Sequence, residues 1–162
     1  VITFVLAWTM VIGGGAAMIR WMPELALQGD LNGIGNCGAD LWPLPGRKSS
    51  LAGTSHMGPA ASLQALLSAG PDGPAVTERF ETFREGVQVC EAIIFLQKAL
   101  DSGRVKGALA RRIEELLDDR ARHLIRSRPG QEFSWWALNT GWAERDERLF
   151  ALCAEVARLP RQ

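Results

Sequence analysis

Apolar residues recur at alternating intervals of three and four through residues 71–100, PDGPAVTERFETFREGVQVCEAIIFLQKAL. Phe80, Phe83, Val87, Cys90 and Ile94 form the stripe and Ile93, Leu96 and Leu100 widen it, so the spacing predicts an amphipathic helix with one broad buried face. Its ends are also legible. Asp72-Gly73-Pro74 predicts a turn before it, the Thr77 hydroxyl can cap the first free amides, and Glu78 and Glu81 place negative charge at the positive end of the helix dipole. Lys98 near the end and Gly103 just beyond supply the other terminus. Gly86 stands in mid-helix, where glycine costs about 1 kcal/mol against alanine, which implies that another group packs close to the backbone there.

Two more helices follow from the same periodicity. Residues 105–126 carry Val105, Leu109, Ile113, Leu116, Leu117, Ala121, Leu124 and Ile125 on one face, with Arg111, Glu115, Asp118 and Arg122 on the outer face, and Pro129-Gly130 ends the segment. A third helix is expected over residues 143–159, with Leu149, Leu152, Cys153, Val156 and Leu159 inward. Trp135, Trp136 and Trp142 lie between these two helices and are expected to lock the helical tail in place. Before residue 71 the pattern is weaker. Residues 1–19 hold no charge, which is the nominal length of a membrane span, but Gly13-Gly14-Gly15 breaks a helix and Ala16 to Trp21 suits a short buried strand. The expected order is helix, glycine turn, strand. A second strand over residues 39–44, ended by proline, and a long loop over residues 46–61 follow; the segment 63–67 fits a strand or a helical turn equally.

Composition narrows the function classes. The chain of 162 residues is 47% apolar and 22% charged, enough for an ordinary core. Eighteen basic and 18 acidic side chains cancel, so nothing in the net field calls for nucleic acid or an anionic membrane as partner. Cys37, Cys90 and Cys153 are odd in number and far apart, which gives neither a disulfide framework nor a metal pair and leaves the compartment open. His56 and His123 have no ligand at metal spacing. The triple glycine lacks the Lys and Ser/Thr of a phosphate loop, and no cofactor is expected. Because the sequence opens at Val1 inside what reads as an ordered element, it is expected to be a piece of a longer protein; an upstream leader would make the periplasm or the exterior possible.

One segment carries a resemblance. Thr77-Glu78-Arg79-Phe80-Glu81-x-x-Arg84-Glu85-Gly86-Val87-Gln88, followed by Glu91-Ala92, resembles the Arg-x-Glu-x-x-Arg-Glu-Gly-Ile-Gln-Asp-x-Glu signature near the end of the catalytic barrel of glycoside hydrolase family 123, also described as domain of unknown function 4091. It departs at Val89, where the family has Asp, and at Cys90, where an aromatic is common. Ala7-Trp8, the glycine turn and Met18-Ile19-Arg20-Trp21 are similar to the family's helix with Gly-Trp leading to a strand that ends in Arg-Trp. The resemblance covers residues 5–100. It implies an α/β fold: residues 1–103 as the C-terminal portion of a (β/α)8, TIM-like barrel, with residues 104–162 as a helical tail, mostly α by residue count.

The same resemblance implies a glycosidase acting on an amino sugar. Strand ends are where barrel chemistry is built, so Trp21 and Trp42 become candidate platforms for sugar rings, with Arg20, Glu24 and Asp40 as partners for hydroxyl groups. Core filling is the competing reading of both tryptophans, and the residues leave both open. Arg79, Glu81, Arg84 and Glu85, with Gly86, are read as a structural network that docks the helix, since a helix following a barrel strand lies away from the chemistry. Family members resemble one another in an adjacent Asp-Glu pair on an earlier strand; the only such pair here, Asp146-Glu147, falls in the tail helix, so no catalytic residue is assigned. A carbohydrate substrate is the expected partner, and no membrane is expected. Two further readings stand beside this one: a helical interaction or membrane-associated module, and a pseudoenzyme that binds glycans without cleaving them. Sugar, linkage and oligomeric state are open.

Overall fold

The structure, a computed structural model, describes residues 4–6, 16–35, 66–126 and 140–160. Strand β1 (Phe4–Leu6) is followed by helix α1 (Ala16–Gln28) and strand β2 (Gly33–Gly35), which lies parallel to β1 with Val5 opposite Ile34. An antiparallel hairpin of β3 (Leu67–Gly70) and β4 (Gly73–Val76) then leads into the long helix α2 (Glu78–Asp101), and helices α3 (Gly107–Arg126) and α4 (Trp142–Ala157) complete the described chain. Helix dominates among the described residues, and the strands form two sheets of two strands each. The chain divides into two compact units, Val1–Gly86 and Val87–Gln162, whereas the resemblance implies a boundary after Gly103.

In the first unit the expected order of elements is reversed. Ala16 to Trp21 is not a strand but the first half of α1, and Phe4–Leu6, expected inside a helix, is a strand. The physical reason is propensity: residues 1–6 are Val, Ile, Thr, Phe, Val and Leu, while α1 is dominated by Ala, Met, Leu, Glu and Gln. A short, fully buried apolar run has the same periodicity as strand or helix, so spacing alone does not separate them. Residues 1–19 are therefore not one continuous helix, and no described helix is long and apolar enough to cross a membrane. The expected strand at residues 39–44 and the loop at 46–61 lie outside the described residues.

Helix α1 ends in a paired motif. The Leu31 amide donates to the Ala26 carbonyl at 2.9 Å and the Asp30 amide to that of Leu27 at 3.2 Å, with Asp30 left-handed at φ 50°, the arrangement that satisfies terminal carbonyls in a Schellman turn. Ile19, Met22 and Leu66 form the core of this unit, with Ile34, Phe80 and Phe83 packed on it.

The expected cap of α2 is present. Thr77 Oγ1 accepts from the Phe80 amide at 3.2 Å and donates to the Leu66 carbonyl at 2.6 Å, so one hydroxyl both caps the helix and ties it to the residue before β3. Thr77→Ala is expected to lower stability by about 1–2 kcal/mol while Thr77→Ser retains most of it, as read by urea unfolding. At the other end Gly103 adopts φ 67° and its amide donates to Leu100 at 2.9 Å. The buried stripe is rotated from expectation: Val89, Ile93 and Leu96 are at most 1% exposed, while Val87 is 39% exposed. Two residues along a helix are about 200° apart, so burying Val89 turns Val87 outward.

The regular elements described in the second unit are all helices. Ile93, Leu96, Ile113, Leu149 and Val156 are fully buried, each contributing about 1.5–3 kcal/mol relative to exposure. Helices α3 and α4 match the expected spans to within two residues at each end. Arg104, between α2 and α3, donates through Nη2 to the carbonyls of Val156 and Leu159, both at 3.0 Å, closing the C-terminal end of α4 with a cation. Arg104→Ala is expected to cost about 1–2 kcal/mol and to raise amide exchange in the last turn of α4 first.

Candidate functional site

Several charged side chains gather where α1 meets the N-terminal half of α2. A Cβ placed on Gly86 would stand 2.2 Å from the Arg20 carbonyl oxygen, 3.0 Å from its carbon and 3.1 Å from Pro23 Cγ. Only glycine fits such a crossing of two helical backbones. The close approach inferred for Gly86 from the sequence is therefore observed, and the approaching group is the backbone of α1. Beside it, Arg20 Nε donates to Glu85 Oε2 at 3.3 Å; the arginine side chain is 6% exposed and the carboxylate 55%. Glu81 pairs with Arg84 at 2.5 Å on the exposed side of α2, a surface contact worth at most about 1 kcal/mol. Arg79 is half-buried, with Nη1 enclosed and making no hydrogen bond.

The candidate sugar contacts fare differently from one another. Trp21, expected at the tip of a strand, sits on α1 and is 1% exposed, so its indole face is covered by protein. Stacking needs an open face, and core filling is the description that fits Trp21 here. Arg20 and Glu24, one helical turn apart on α1, are both buried. They belong to the interior of the unit, not to an open wall. Asp40 and Trp42 lie outside the described residues, as do Trp135, Trp136, Cys37 and His56.

Asp146-Glu147 divides cleanly. Asp146 is buried on α4 and accepts from Arg120 Nη1 at 3.0 Å, whereas Glu147 is exposed. Asp146 is thus held by a buried guanidinium. The Arg120–Asp146 pair itself was missed by the sequence reading. Its signal was present: both residues fall on the inward faces of their helices, Arg120 between Ile113 and Leu124 and Asp146 three residues before Leu149. Other charges at helical spacing, Asp118 with Arg122 and Glu144 with Arg148, pair along the exposed surface.

Nucleophilic and metal chemistry find no focus among the described residues. Burial raises the Cys153 thiol above its ordinary range, and its Sγ lies 3.5 Å from the Ala92 carbonyl, which keeps it protonated at neutral pH. Cys90 is buried. No group of three or more His, Cys, Asp or Glu among the described residues is placed to hold a metal ion. Among the described residues of the second unit, an open groove of about 380 Å³ along α3 and α4 is lined by Leu116, Leu152, Arg112, Asp119 and Arg148. Arg112 pairs with Glu155 at 3.0 Å and Arg145 with Asp119 at 3.7 Å.

Comparison with known proteins returns no match: no family model, no curated protein and no solved structure is similar to the chain.

Proposed function

We propose that this chain is the C-terminal part of a glycoside hydrolase acting on amino-sugar-containing glycans, contributing pocket wall and structural helices but no catalytic acid. The observation that carries the reading is the seat of Gly86: the Arg-Glu-Gly of the signature that resembles glycoside hydrolase family 123 is the point where α2 meets α1, with Glu85 on Arg20 and no side chain at residue 86. That is a docking role, as the resemblance implies for a helix outside a barrel. The parallel β1–α1–β2 unit is compatible with the same reading, since strand, helix and parallel strand are the repeating unit of a (β/α)8 barrel. With Trp21 buried in the unit, the proposed sugar contacts are Trp42 and Asp40, on the resemblance alone.

A helical partner-binding module is the second reading, favoured by the described part of residues 87–162, whose regular elements are all helices, and by its open groove. The two separate in one experiment. The purified 162-residue chain is expected to release no aryl alcohol from aryl glycosides of N-acetylhexosamines, while the longer reading frame that contains it does so. Hydrolysis by the 162-residue chain alone defeats the assignment of a wall without a catalytic acid; inactivity of the longer frame, properly folded, favours the binding module.

A further inference from the structure

We draw no further inference here: the strongest candidate, the open groove of about 380 Å³ between α3 and α4, has its edge charges Arg112, Asp119 and Arg148 already engaged by Glu155, Arg145 and Glu144, and nothing in the structure shows what covers it.

Discussion

Asp146→Ala is expected to lower the unfolding free energy by about 3–5 kcal/mol, the largest single loss in the second unit. Arg120 Nη1 and Asp146 Oδ1 are 3.0 Å apart with side chains 0% and 7% exposed, so removing the carboxylate leaves a guanidinium that cannot be deprotonated in an apolar interior. Most of the loss is the cost of a buried guanidinium deprived of this carboxylate rather than the worth of the pair. Replacing both residues tests the distinction: Arg120→Met with Asp146→Leu is expected to recover most of the stability, because a buried pair and an apolar pair of similar volume are close in free energy. Urea unfolding followed by circular dichroism reads both. A midpoint shift on the order of 2 M urea is expected for the single variant. A loss under about 1 kcal/mol would mean that Arg120 is satisfied by other groups or by water once this carboxylate is gone.

Gly86→Ala is expected to destabilise by about 2–3 kcal/mol, against the ordinary sign of the substitution. In an unobstructed helix interior, alanine gains about 1 kcal/mol over glycine. Here the new methyl group meets the Arg20 carbonyl oxygen at 2.2 Å, which is backbone and cannot swing aside, and Pro23 Cγ at 3.1 Å. Either α1 and α2 separate, exposing part of the Ile19, Met22 and Phe83 cluster, or both helices distort. Gln88→Ala, on the exposed side of the same helix, serves as the control and is expected to stay within about 0.5 kcal/mol of the unsubstituted chain. A stabilised Gly86→Ala would show that the two backbones do not touch.

The helical half of the molecule was legible because long amphipathic segments repeat their signal. Thr77, Gly103 and the apolar positions of α3 and α4 each appear where periodicity and capping put them. Phe4–Leu6 and Ala16 to Trp21 depart from the sequence reading for two physical reasons. An uncharged stretch whose only polar side chains before Arg20 are Thr3 and Thr9 has little polar face to reveal its period, and the resemblance draws Met18-Ile19-Arg20-Trp21 toward a strand against the helix preference of Ala16, Ala17 and Met18. The β-branched and aromatic residues of 1–6 gave the better clue to β1. Buried charge was the other blind spot. Arg20, Glu24, Arg120 and Asp146 are all interior, and sequence reasoning places such residues outside unless it asks which charges fall on an apolar helical face. Gly86 was the reverse case: its cost in a helix pointed to a close contact, while the identity of the contacting backbone depended on which element residues 16–28 form.

Glu85 and Gly86 dock α2 on α1, Glu85 through Arg20 and Gly86 against the Arg20 backbone, and the proposed function gives neither of them a part in bond cleavage. The most direct measurement is kcat/KM for an aryl N-acetylhexosaminide in the longest reading frame carrying this chain, with Glu85→Gln compared with the unsubstituted protein. The account predicts a value within about threefold, accompanied by a lowered unfolding midpoint from the weakened contact with Arg20. A fall of about a thousandfold at an unchanged midpoint is what loss of a general acid or base produces, and it would contradict the account.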